Sequence, residues 1–265
     1  MDISLLDPFL WIKIYVVLFV VRTIAKRYIQ LNEHKKLLVK GAEFKQKRDE
    51  KYRKFMQDNA DLIPSENIQQ EILNCKSLRQ LQDKLETKAF TSVQLLMHYI
   101  NRCQSYGVKL NLISQINFEK ALELAKNCDK IRQNNAEMAE IRKNSIDNGL
   151  LFGIPVSFKD HIYLKGTHST IGCINMLKYL HQETGVFEQI VVDNGGIPFV
   201  KTNLPQLGLS LESNNRLFGK AMNPINHDRV PGGSSGGCAG LVTTQSSPIS
   251  FGTDVGGSVR SPSSF

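Results

Sequence analysis

Between Pro231 and Arg260 the chain reads PGGSSGGCAG and closes on FGTDVGGSVR, which sets Ser234 and Ser235 among five glycines in 232–240 and Ser258 behind a Gly-Gly pair. A backbone so free of side chains can turn its amide N–H groups toward a ligand and let it come close. Sites for developing negative charge are built that way. The competing reading is a flexible Gly/Ser connection, so the known loop chemistries are tested in turn. A Walker loop needs Gly-Lys-Ser/Thr, and no lysine follows Lys220. Gly232, Gly233 and Gly236 lack the spacing of a dinucleotide fingerprint. Gly233-Ser-Ser-Gly-Gly237 fits a nucleophile elbow with Ser235 as its serine, but that arrangement needs a later histidine and the last one is His227. What remains is a serine nucleophile with another base. Lys159, closing the apolar run Leu150–Phe158, is the candidate, because poor solvation favours the neutral, basic amine.

Three blocks in order, Gly153-Ile-Pro-Val-Ser-Phe-Lys-Asp160, Pro231-Gly-Gly-Ser-Ser-Gly-Gly237 and Gly252-Thr-Asp-Val-Gly-Gly-Ser-Val-Arg260, resemble the amidase signature family. The resemblance implies an α/β fold, a mixed, mostly parallel sheet covered by helices, and a Ser–Ser–Lys triad. Ser258 would be the nucleophile, Ser234 the bridging serine and Lys159 the base, with Ser235 a supporting hydroxyl. The amides of Val255, Gly256, Gly257 and Ser258 would form the oxyanion hole, and the Gly208 carbonyl would lie beside the substrate. No metal and no cofactor is implied. Cys238 stands where the family commonly has an acidic residue, which changes local polarity without removing the triad. Leu164–Gly172, Gly196–Gln206 and Leu217–Pro224 are similar to the membrane-bound fatty acid amide hydrolase branch. That likeness implies a lipophilic amide substrate, N-acylethanolamines or primary fatty amides, cleaved to fatty acid and amine. A homodimer is carried as a further expectation. Two other readings are carried beside it: a catalytically incomplete, membrane-tethered fragment, and a generic amidase or amidotransferase-like subunit. The chain stops at Phe265, seven residues past Ser258, so we expect an N-terminal portion of a fold that is incomplete at its C-terminus.

The elements that must position these residues follow. Residues 1–25 are expected to form a membrane anchor, since Phe9–Val21 is apolar apart from Lys13. The uncharged core Ile14–Val21 is short against the ~20 residues a crossing takes, so a single-pass and a monotopic, interfacial anchor both stand. Residues 26–60 form a basic, largely solvated helical arm. Twelve Lys/Arg against four acids between Arg22 and Lys54 give +8, equal to the net charge of the whole chain. Positive charge after the anchor keeps the catalytic part cytoplasmic, on the endoplasmic reticulum or another endomembrane, with the arm resting on anionic membrane lipid. Nucleic acid is not the expected partner, because no nucleic-acid module accompanies the charge. Five cysteines without a C-x-x-C pair read as free thiols and give no zinc site.

The catalytic domain should occupy 61–265. Ser65, Ser77 and Thr91 would each cap a helix, the third ending at Gly107, and the apolar stripes of these helices, His98 included, are read as core. Strand and helix then alternate: strands at 112–116, 150–158 and 197–200, and helices at 118–133, 185–193 and 236–243. Residues 134–148 should be a surface connection. His161 and His168 are assigned no role, and Asp160 and Asp254 are expected to hold loops through backbone N–H groups.

Overall fold

The computed structural model describes residues 8–144 and 149–265. Its main sheet runs in the order β1 (Ile113–Ile116), β3 (Ile197–Thr202), β2 (Pro155–Lys159), β6 (Ser250–Phe251). β1 is antiparallel to β3, while β2 is parallel to both β3 and β6. The sheet is therefore mixed and mostly parallel, as expected. Every residue of β2 and β3 is buried, which is why both read as continuous apolar runs instead of alternating ones. β2 starts only at Pro155, because the preceding residues turn: Phe152 N–H bonds to Gly149 O and Ile154 N–H to Leu151 O. A two-stranded antiparallel ribbon, β4 (Asn214–Asn215) and β5 (Gly219–Lys220), lies apart from this sheet.

The helices follow their capping signals. α2 (Glu66–Asn74) begins after Ser65, whose side chain makes no cap bond. α3 (Leu78–Glu86) is capped by the Ser77 hydroxyl, which accepts from the Gln80 amide. α4 (Ser92–Arg102) opens with a complete capping box between Thr91 and Gln94. Gly107 does not stop α4; the chain widens into a π-helical turn over Cys103–Val108. α5 (Phe118–Arg132), α7 (Val186–Asp193) and α8 (Gly236–Thr243) stand where the periodicity places them. The expected surface connection after residue 133 is a helix, α6 (Asn135–Asn144). Asn134 accepts from the Glu137 amide through its side chain at 3.3 Å, a local start signal obscured by the mixed charges around it. Residues 145–148 of that expectation lie outside the described residues. A short α9 (Arg260–Ser264) ends the chain.

The basic arm departs most from expectation. α1 runs without a break from Pro8 to Asp58, straight through the expected end of the anchor at residue 25. Its last turns are not solvated: Tyr52, Phe55 and Met56 belong to the main core beside Phe118, and the Tyr52 hydroxyl donates to Ile100 O. Arg48 is buried and donates to Ile113 O at 2.6 Å while its guanidinium pairs with Asp49. The core thus extends into the segment read as an arm. The membrane-spanning anchor also needs correction: among the described residues no helix is long and apolar enough to cross a membrane. Lys13 and Arg22 leave eight uncharged residues between them, about 12 Å of helix against a hydrocarbon core of ~30 Å. Residues 1–7 of that expectation lie outside the described residues. The apolar side chains from Phe9 to Ile29 are nonetheless exposed, Phe9, Tyr15 and Leu18 each by more than 60%.

Candidate active site

The last residue of β2 sets the base in place. Lys159 follows four buried strand residues and pairs in register with Thr202 of β3, so its side chain leaves the sheet from inside the protein and is only 2% exposed. Burial pushes the Lys159 ammonium down from its ordinary value, with Asp254 opposing. Its Nζ lies 2.7 Å from Ser234 Oγ, and Ser234 Oγ in turn lies 2.7 Å from Ser258 Oγ. Three groups from three separate segments, β2, the glycine loop before α8 and the turn before α9, are thereby joined in one line of hydrogen bonds.

The glycine loop holds its serines by packing that only glycine permits. A Cβ on Gly237 would sit 2.5 Å from Asn203 N and O, so α8 presses directly on the backbone that follows β3. The Gly237 amide donates to Asn203 O at 3.1 Å. The Gly233–Ser234 peptide is cis. Ser213, which carried no signal in the sequence, ties both sides of the loop: its hydroxyl donates to Gly232 O and accepts from the Gly236 amide, each at 3.0 Å. Ser235 donates its amide to Ser258 O at 3.0 Å and its hydroxyl to Thr253 O at 3.4 Å. Gly208 comes close as well, since a Cβ there would lie 3.9 Å from Ser234 Oγ.

The turn carrying Ser258 is organised by Asp254. Its carboxylate accepts from the amides of Gly257, Val259 and Arg260 at 2.7–3.1 Å and pairs with the Arg260 guanidinium at 2.9 Å. The Arg260 side chain first, and these amides next, hold the Asp254 carboxyl well below the usual carboxylate range. The Gly257 amide, one of the four expected in the oxyanion hole, donates to Asp254 Oδ1 at 2.7 Å. The amides of Val255, Gly256 and Ser258 carry no hydrogen bond among the described residues. Gly257 supplies the backbone turn, at φ +111°.

Around this line the remaining polar residues sort by contact. Asp160 accepts from Gln115 Nε2, Thr170 Oγ1 and the Ile171 amide, and so pins the loop after β2. Lys201 is buried and donates to His168 O and Ser169 Oγ from the next strand. Cys238 Sγ lies 3.0 Å from Thr202 Oγ1. Burial raises its thiol pKa, so it adds a neutral group beside Lys159 where an acid would add charge. His98 is buried in α4, edge-on to Tyr99. No group of three His, Cys, Asp or Glu suited to a metal occurs among the described residues. Thr253 was missed in the sequence, although it stands inside the third motif: its carbonyl and hydroxyl lie 3.3 and 3.5 Å from Lys159 Nζ.

The arrangement sets a serine hydroxyl at the end of a hydrogen-bonded line from a buried lysine, beside backbone amides without a partner among the described residues. The sequence profile of the amidase family matches residues 94–265. The chain is 34% identical over 186 residues to the vitamin D3 hydroxylase-associated protein of Gallus gallus, which covers 70% of this chain and 37% of that protein. It is 33% identical over 216 residues to amidase 1 of Gibberella moniliformis, covering 82% of this chain and 39% of that protein. A solved fatty acid amide hydrolase superposes with a TM-score of 0.69 at 23% identity, over 85% of this chain and 41% of the other, a likeness of fold. The chain thus spans about two fifths of the length of the relatives it matches. With a matching profile over most of its length and the motif residues gathered at one site, the chain belongs to the amidase family.

Proposed function

We propose that the chain carries the catalytic centre of a serine amide hydrolase that acts on lipophilic amides. The observation that carries the reading is the line Lys159–Ser234–Ser258, with both hydrogen bonds at 2.7 Å and the lysine buried. Neutral Lys159 takes the proton of Ser234 as Ser234 takes that of Ser258, whose oxygen attacks the amide carbon. The carbonyl oxygen gains charge beside the free amides of Val255, Gly256 and Ser258. Collapse of the intermediate returns the proton through Ser234 to the departing amine, and water attacks the acyl-enzyme by the same relay. A bridging hydroxyl suits both directions, because it donates and accepts at once.

Fatty acid amides are the substrate class we favour. Leu207, Leu209 and Leu211 are exposed on the loop that brings Gly208 to Ser234, an apolar approach to the nucleophile. The exposed apolar turns of α1 followed by its basic turns favour contact with an anionic membrane surface without a span, and positive charge after them favours a cytoplasmic site. The fold likeness to a fatty acid amide hydrolase supports the same reading, whereas the likeness to amidase 1 keeps a generic amidase as the second reading. Labelling with a long-chain fluorophosphonate tests the site. Ser258 should take the label, and Ser258→Ala should lower labelling by at least about 10³-fold. Equal labelling by short-chain and long-chain reagents would favour the generic amidase; labelling that survives Ser258→Ala would end the triad reading.

A further inference from the structure

His161 stands two residues past the base and belongs to none of the motifs that define the site. Its half-buried ring places Nε2 3.2 Å from Thr253 Oγ1. The same hydroxyl lies 3.5 Å from Lys159 Nζ, and Thr253 O lies 3.3 Å from it. A neutral lysine amine has two hydrogens and one lone pair, and only an amine whose lone pair faces Ser234 can take that serine's proton. Thr253 offers two acceptors for the two hydrogens, provided that its own hydroxyl proton points elsewhere. The one other group the structure gives that hydroxyl among the described residues is His161 Nε2.

We propose that His161 is a positioning residue for the base: it accepts the Thr253 hydroxyl proton at Nε2, leaves the Thr253 oxygen to receive a Lys159 hydrogen, and so turns the Lys159 lone pair toward Ser234. The inference rests on the Ser–Ser–Lys reading above and extends it by two residues. The role requires the ring uncharged with its proton on Nδ1, since an imidazolium would donate at Nε2 and turn the Thr253 proton back onto the lysine. The charged groups facing the ring are Lys159 and Asp160 at the end of β2 and Lys201 from β3. Burial first, and the Lys159 charge next, push the imidazole down to about 4, with Asp160 opposing. Burial, the larger cause, persists when Lys159 is neutral and favours the uncharged ring that the role requires.

The test measures inactivation of this chain by a fluorophosphonate, separating the reversible binding constant from the maximal rate of Ser258 modification. His161→Phe should lower the maximal rate about tenfold and leave the binding constant unchanged, while His161→Gln, which keeps an acceptor at similar reach, should restore most of the rate. Thr253→Val should lose as much, and the double variant Thr253→Val/His161→Phe should be no slower than Thr253→Val alone, because the ring acts only through that hydroxyl. Ring ¹⁵N shifts of His161 should report the Nδ1–H tautomer, without any reaction. A wild-type rate in His161→Phe, additive losses in the double variant, or an Nε2–H tautomer would each overturn the proposal. Failure of the underlying reading looks different: a wild-type chain that takes no label at Ser258, or a Ser258→Ala chain that still takes it, overturns both together.

Discussion

Lys159 shows how little at the residue scale separates an ordinary strand-end lysine from a base. A lysine leaving a core with its ammonium in water stays charged; this one ends four buried residues and is itself closed off. Burial favours the neutral form, so its pKa lies below 10.5. The sign follows directly: protonated Lys159 has no lone pair for the Ser234 proton, so reaction at Ser258 is slow at low pH and rises as the lysine deprotonates. The pH profile of fluorophosphonate labelling should therefore rise to a plateau with its midpoint below 10.5. Lys159→Met should remove that rise and lower the plateau by about 10²–10⁴-fold, the usual worth of a positioned base. A profile unchanged by Lys159→Met would assign the proton to another group. Lys159 was legible in the sequence because an apolar run leads straight into it. Thr253 and Ser213 were not, since a hydroxyl's role depends on what folds against it and neither residue type nor spacing records that.

At the scale of elements, α8 is the part on which the geometry turns. Its glycines let the helix lie against Asn203 and Leu112, and a Cβ on Gly237 would approach three backbone atoms of those residues within 2.7 Å. Backbone cannot yield as a flexible side chain does. Gly237→Ala should thus destabilise the fold by about 1–3 kcal/mol or more, the ordinary cost of overpacking, read as a lower denaturant midpoint. The same shift should carry Ser234 away from Lys159 and slow labelling of Ser258. An unchanged midpoint would show that α8 can move off the sheet freely. The helix itself stands where it was expected, over 236–243. α6 was not expected, because its charges gave no apolar stripe. The short start of β2 was also hidden, since a buried turn and a buried strand are equally apolar.

The whole molecule joins two halves of different character through α1. The helix begins with exposed apolar turns and ends with Tyr52, Phe55 and Met56 inside the core. Deleting residues 1–29 removes the exposed turns while keeping Arg48 on Ile113 O. The shortened chain should keep its denaturant midpoint within about 0.5 kcal/mol and lose sedimentation with anionic lipid vesicles. Vesicle binding that persists would place the lipid contact on the remaining body. High salt should weaken binding of the full chain, because the basic turns contribute through screened charge.

The sequence by itself determined the family, the motif residues and the mixed, mostly parallel sheet, because those are written in local patterns: small residues at loops, apolar runs at buried strands, caps at helix starts. It also marked Lys159, Ser234 and Ser258. Only the tertiary structure decided that these three form one hydrogen-bonded line, that the Gly257 amide donates to Asp254, that the end of the basic helix is core, and that Thr253 and His161 stand at the base. These are contacts between segments far apart in the chain, or choices among partners for one donor. The direction of a hydrogen bond is fixed by everything around it, and spacing along the chain carries no record of that.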